Sequence, residues 1–197
     1  MRELIKMFVV LTILSASAGG LLAGLRHSTA AQIEQQQLEF VKGPAIKGIL
    51  DGASNDPIAD RFKIKDGETE RSFFVGKFDG KASAVVFEGS GKGFGGELGL
   101  VLGVNIDDDK ILGVGVTTHS ETPGLGARAQ SDPAFVSQFK GAAIAGPFKV
   151  TTDGGKVNAM SGATITSRGV CAGVTGSADI YKKLKPQIQD KLKEFNQ

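Results

Sequence analysis

Seven residues in the C-terminal part of the chain, SGATITS (residues 161–167), set four hydroxyls, those of Ser161, Thr164, Thr166 and Ser167, beside a glycine, an alanine and an isoleucine. From Ala163 onward there is no proline until Pro186, and Val170, Val174, Tyr181 and Leu184 recur at the spacing of one helical face. Ser161 therefore reads as an N-cap, with Gly162, Ala163 and Thr164 in the first turn. A first turn offers unpaired N–H groups and the positive end of the helix dipole, which together favour a phosphate. Gly162 and Ala163 remove the bulk that would keep such a group from the backbone. A threonine hydroxyl placed there is suited to covalent attachment of a phosphate-bearing cofactor. An ordinary S-x-x-T helix cap shows the same local pattern, and the seven residues alone leave both readings open.

A second stretch, HSETPGLG (residues 119–126), combines His119, the carboxylate of Glu121 and a Pro-Gly turn. Pro123 fixes φ, and Gly124 and Gly126 permit positive φ, so the stretch reads as a loop turn whose backbone can approach a flat ring. His119 reads as a strand-end or loop residue. The glycine-rich GSGKGFGG (residues 89–96) lacks the spacing of a phosphate loop and precedes a strand, so it reads as a flexible loop. The acidic run DDDK (residues 107–110) lacks the glycine and distal glutamate of a calcium loop and reads as a solvated hairpin turn. No nucleophile elbow or carboxylate pair stands out, which leaves no catalytic residue to name. No Cys or His cluster has metal-ligand spacing. Cys171 is the one cysteine, so no intramolecular disulfide forms, and its helical position reads as a small buried hydrophobe. A net charge of +2 gives no electrostatic footprint for nucleic acid.

The elements that must position these residues are those of an α+β fold with a twisted antiparallel sheet and flanking helices, because strands and helices do not alternate as in a doubly wound sheet. Strand character falls at residues 72–77 and 84–87. Residues 97–106 and 111–118 flank DDDK as a hairpin. Asp132 and Pro133 start a helix that buries Phe135, Val136 and Phe139. Residues 147–151 and 156–157 read as short strands around Gly154 and Gly155, and residues 185–197 as a separate amphipathic helix.

The N-terminus sets the compartment. Residues 7–25 form an uncharged, mostly apolar run close to the length that crosses about 30 Å of hydrocarbon. Arg2 and Lys6 precede it, while Glu34 and Glu39 follow, so the positive-inside rule favours a cytoplasmic N-terminus. The expected layout is an anchor over residues 1–27, a stalk over 28–56 in which Gly43 and Gly48 mark turns, and an extracytoplasmic or periplasmic domain over 57–197. A cleaved signal peptide ending at Ala16-Ser17-Ala18 is the rival reading.

SGATITS, HSETPGLG and the upstream FGGELGLVLGVN (residues 94–105) occur in the order found in a known family, and across residues 93–181 the chain resembles it. That family includes the G subunit of the Rnf electron-transport complex and the C subunit of the sodium-pumping NADH:quinone oxidoreductase. The resemblance implies an FMN-binding domain in which Thr164 carries FMN through a phosphodiester bond installed by a flavin transferase. It further implies phosphate contacts from Ser161, Gly162, Ala163, Thr166 and Ser167, and ring contacts from Glu121, Thr122 and Leu125. Asn158 stands where the family usually has aspartate. The implied role is a redox subunit that relays electrons beside other membrane and peripheral subunits of an ion-translocating ferredoxin:NAD oxidoreductase. The short chain favours the G over the C subunit. A tethered flavin domain serving another reductase, and a non-redox envelope binding module, are the alternatives.

Overall fold

A computed structural model describes residues 1–196, with the side chain of Ala31 excepted; Gln197, where the expected C-terminal helix and domain end, lies outside the described residues. The chain divides into two units, Met1–Phe40 and Val41–Gln197. The first is built on α1 (Arg2–Gln36), within which Arg2–Ala30 is long and apolar enough to cross a membrane. A π-helical turn, Gln37–Lys42, follows it.

The second unit begins earlier than the sequence suggests. Residues expected to form a stalk with glycine turns instead make α2 (Gly43–Ile49), which buries Gly43 and Ile46. Five strands follow: β1 (Arg61–Asp66), β2 (Thr69–Phe78), β3 (Lys81–Lys92), β4 (Glu97–Asn105) and β5 (Lys110–Thr118). They form one antiparallel sheet in the order of the chain. The expected 97–106 and 111–118 hairpin is present, and Asp109 in its turn takes φ 55°.

Strand alternation puts one residue in two on each face. Phe62, Phe73, Phe87, Leu102 and Val114 are successive cross-strand partners, so a single buried apolar row crosses all five strands. Phe62 stacks on Phe73 at 5.5 Å, and Phe87 on Tyr181 of the long C-terminal helix at 6.4 Å. The opposite face carries Phe74, Val86, Gly103 and Gly113 in register. A Cβ on Gly103 would strike Ile49, and one on Gly115 would lie 3.2 Å from the Ala45 Cβ, so the glycines are what let α2 lie on the sheet.

After β5 come α3 (Arg128–Ser131) and α4 (Pro133–Val136), whose N-cap Asp132 accepts from Ala134 N at 2.9 Å. Phe135 and Phe139 are buried as expected. Residues 147–157 do not form two strands: a single parallel bridge, Val150 to Val157, brackets a 3-10 turn at Thr151–Asp153. A segment that loops back over so few residues has no neighbouring strand to extend such a bridge. The final element is α5 (Thr164–Phe195), continuous through Pro186. The break expected at proline is absent because the buried stripe continues through Ile188 and Leu192, and Lys185 holds Asp109 at 2.6 Å just before it. Lys185 and the Tyr181 hydroxyl hold the Asp109 carboxyl below its usual range although burial opposes them.

Candidate functional site

Three segments distant in sequence close on a cleft of about 420 Å³, lined by Phe94, by Glu121, Thr122, Leu125 and Gly126, and by residues 162–166. That volume lies in the range of small-molecule and cofactor sites.

The first wall is the β3–β4 turn. GSGKGFGG is not a flexible loop: Gly89, Ser90, Gly91 and Lys92 pair with β4, and only residues 93–96 turn, closed by Gly93 N donating to Gly96 O at 2.8 Å. The glycines serve packing. A Cβ on Gly91 would strike Gly169 O of α5, and one on Gly169 would strike Lys92 O, so β3 and α5 meet backbone to backbone. Phe94 projects from the turn, 73% exposed.

The second wall is residues 119–127. Leu125 N donates to Thr122 O at 3.2 Å and Gly124 sits at φ 74°, the turn expected of T-P-G-L. Leu125 and Thr122 are exposed to the cleft, whereas Glu121 is buried. Its carboxylate, at the cleft wall, accepts from Gly95 N at 2.8 Å and from the Thr166 hydroxyl at 2.7 Å. His119 is a local brace, accepting from Glu121 N at 3.3 Å.

The third wall is the start of α5. Ser161 does not cap it. Gly162 takes φ 78°, the helix begins at Thr164, and Ala163 occupies the N-cap position without a side-chain cap. The turn is stapled from inside by Ser167, whose hydroxyl accepts from Met160 N and donates to Ala163 O, each at 3.0 Å. The first helical bond is Ser167 N to Ala163 O. The N–H groups of Thr164, Ile165 and Thr166 precede it and are the orphan donors of a helix start.

Four hydroxyls of similar appearance in sequence thus have different surroundings. Thr166 and Ser167, expected to touch a phosphate, are buried and bonded inward. The Ser161 side chain is exposed, and its carbonyl accepts from Arg128. Thr164 is half-buried on the cleft wall, and its hydroxyl has no hydrogen-bond partner among the described residues. One turn further on, Arg168 grips Asp153 through two bonds of 2.7 Å, which hold that carboxyl below its usual range.

Three residues of the site, Phe94, Ile165 and Arg128, carry no role in the sequence reading, although Phe94 opens FGGELGLVLGVN and Ile165 lies within SGATITS. Phe94, Leu125 and Ile165, at 73, 47 and 50% exposure, are the exposed large apolar side chains of the described second unit apart from Val41 at its start. Leu125 is an expected ring contact; for the other two, a lone aromatic among glycines and an isoleucine off the buried helical stripe are the available signals. Arg128 donates to the carbonyls of Leu125 and Ser161 and so ties the second wall to the third.

Residues 93–178 match the family model of the FMN-binding domain, a span that starts at the first wall and ends within α5. The G subunit of the ion-translocating oxidoreductase complex of Methanosarcina acetivorans is 34% identical, over 90% of this chain and 94% of that protein. The G subunit of the proton-translocating ferredoxin:NAD(+) oxidoreductase complex of Clostridium ljungdahlii is 31% identical, over 83% of this chain and 84% of its own length. Among solved structures, Shewanella oneidensis NqrC superposes with a TM-score of 0.53 at 26% identity, covering 71% of this chain and 72% of that one. The C subunit of the Na(+)-translocating NADH-quinone reductase from Parabacteroides distasonis gives 0.57 at 25% identity, covering 77% and 95%. With a cleft built from the matched residues and this identity over nearly the whole chain, the protein belongs to the G-subunit family of ion-translocating oxidoreductase complexes and carries its FMN-binding domain.

Proposed function

We propose that this chain is the membrane-anchored flavoprotein subunit of an Rnf-type ion-translocating ferredoxin:NAD oxidoreductase, and that Thr164 holds its FMN through a phosphodiester bond. The observation that carries the reading is the free Thr164 hydroxyl on a cleft where the domain's exposed apolar side chains Phe94, Leu125 and Ile165 gather.

The residues present fit the group. Orphan first-turn N–H groups and the positive end of a 32-residue helix suit a phosphate. Gly162 leaves the backbone approachable, and the apolar rim suits one edge or face of the isoalloxazine ring. Bound FMN supplies redox chemistry, accepting electrons and passing them on. Thr164 is a tether for it: a phosphate ester lies far from the ring, so contacts at the rim are what tune its electronics. The Ser161 hydroxyl, exposed beside the tether, is the side-chain donor left to the phosphate; Thr166 and Ser167 hold the protein together. Asn158 lies exposed, its backbone held by Gln138 at 2.7 Å, at a position open to a flavin transferase.

The apolar N-terminal helix holds the domain at the membrane, with Arg2 and Lys6 on the cytoplasmic side and the FMN domain outside. Residues 7–25 contain no ionisable side chain that could pass an ion, so this chain relays electrons while its partner subunits conduct. A covalent tether suits that position, since a flavin lost outside the cytoplasm is not readily replaced.

Co-expression with a flavin transferase should give a chain that fluoresces in a denaturing gel and gains the mass of one FMN less one water. Thr164→Val should abolish both signals and leave the far-UV circular dichroism unchanged. An unlabelled wild-type chain sinks the covalent reading, and a labelled valine variant moves the linkage elsewhere.

A further inference from the structure

Glu121 is a buried carboxylate, 7% exposed, to which the tethering of FMN assigns no task. Each oxygen has its own donor, Gly95 N for Oε1 and the Thr166 hydroxyl for Oε2. Gly95 belongs to the β3–β4 turn and Thr166 to the first turn of α5, while Glu121 itself stands in the loop after β5. All three walls of the cleft therefore meet on one side chain. Two glycines make room for it, because a Cβ on Gly93 would strike Oε1 and one on Gly126 would strike Oε2.

The loop end is held as well. Glu121 N donates to His119 Nδ1 at 3.3 Å, His119 Nε2 faces Gln130 Oε1 at 3.3 Å, and Gln130 Nε2 donates to Thr117 O at 3.0 Å. A single tautomer, with the proton on Nε2, satisfies the whole chain back to β5.

We propose that Glu121 is a positioning residue for the flavin: by clasping the turn that carries Phe94 to the helix start that carries Thr164 and Ile165, it sets the width of the cleft. The inference rests on the reading of that cleft as the FMN site. Parting the walls would strand a buried carboxylate without donors, an unfavourable state, so the turn cannot swing away from the tether while Glu121 is in place. Phe94 is then a fixed shield for one side of the ring.

The test uses the full chain, loaded by co-expression with a flavin transferase. Its readouts are iodide quenching and anisotropy of the flavin fluorescence. Glu121→Ala is expected to carry flavin and to show a several-fold larger quenching constant with lower anisotropy. Glu121→Gln keeps an acceptor for Gly95 N and a polar partner for the Thr166 hydroxyl, and should restore values near those of the wild type. Phe94→Ala should reproduce the exposure seen in Glu121→Ala. Thr166→Val removes one of the two donors and should fall between; it decides the matter if Glu121→Ala does not fold. Wild-type shielding in Glu121→Ala or, where that variant does not fold, in Thr166→Val overturns the proposal, as does an unchanged quenching constant in Phe94→Ala. Absence of flavin from the wild-type chain overturns the FMN reading itself, whereas attached flavin with unaltered quenching in the variants overturns only the clasp.

Discussion

A hydroxyl is defined chemically by what surrounds it, and SGATITS supplies four of them within seven residues. Along α5 the roughly 100° turn per residue brings the Thr166 hydroxyl to Glu121, Ser167 folds back on the Met160 turn, and Thr164 stands on the cleft wall without a partner among the described residues. The same periodicity buries Cys171 one turn after Ser167. Burial, with Asp153 adding to it, pushes its thiol up to about 11. At pH 8 only about one thiol in 10³ would be ionised, and the thiolate is the nucleophile. Iodoacetamide at pH 8 should therefore leave Cys171 unmodified in the folded domain and alkylate it in guanidinium. Fast labelling of the native chain would contradict this buried placement.

At the scale of elements, the site depends on how closely α5 lies on β3. Gly169 and Gly173 of the helix face the backbone of Lys92 and Ser90, and Gly91 faces Gly169 in return. Gly169→Ala sets two effects against each other. Alanine improves helix propensity by up to about 1 kcal/mol, but its methyl would meet the carbonyl of Lys92 and the amide of Gly93, and overpacking of that kind costs about 1–3 kcal/mol. Backbone atoms paired in a sheet cannot turn aside, so overpacking wins. The urea midpoint should fall by an amount corresponding to roughly 1–2 kcal/mol, with the slope unchanged. A stabilised variant would show that helix and strand have slack between them. The motif loops are legible before the fold because their turn chemistry is local: Pro123 and Gly124 act within four residues. Strand β1 is not, although Phe62 and Ile64 alternate with charged residues, because two apolar positions are a short signal. The long α5 reads as two helices for a related reason, since a proline is a local signal and the buried stripe that carries the helix past it is a tertiary one.

For the whole molecule, the two units answer different questions. The second holds the cleft and its core; the first holds the apolar helix that relates the domain to a membrane. Lys42, at the start of the second unit, holds Glu88 of β3 at 2.8 Å, so the chain is fastened to the sheet as soon as it enters the domain. With an external domain, a C-terminal alkaline phosphatase fusion should be active in intact cells. An inactive, stably expressed fusion would reverse the proposed orientation.

Sequence by itself determined the family, the apolar helix and the order of the motifs, because each rests on short runs of residue types whose meaning is local. It also marked Thr164, through a resemblance of seven residues. Only the tertiary structure separated the free Thr164 hydroxyl from the engaged hydroxyls of Thr166 and Ser167, and showed Glu121 on the cleft wall with both carboxylate oxygens held by Gly95 N and the Thr166 hydroxyl. It alone gathered Phe94 and Ile165, 71 positions apart in the numbering, on one rim. The reason is physical. A side chain's partners across a sheet and a helix are set by packing between distant segments, and no local pattern records which neighbour a hydroxyl or carboxylate will meet.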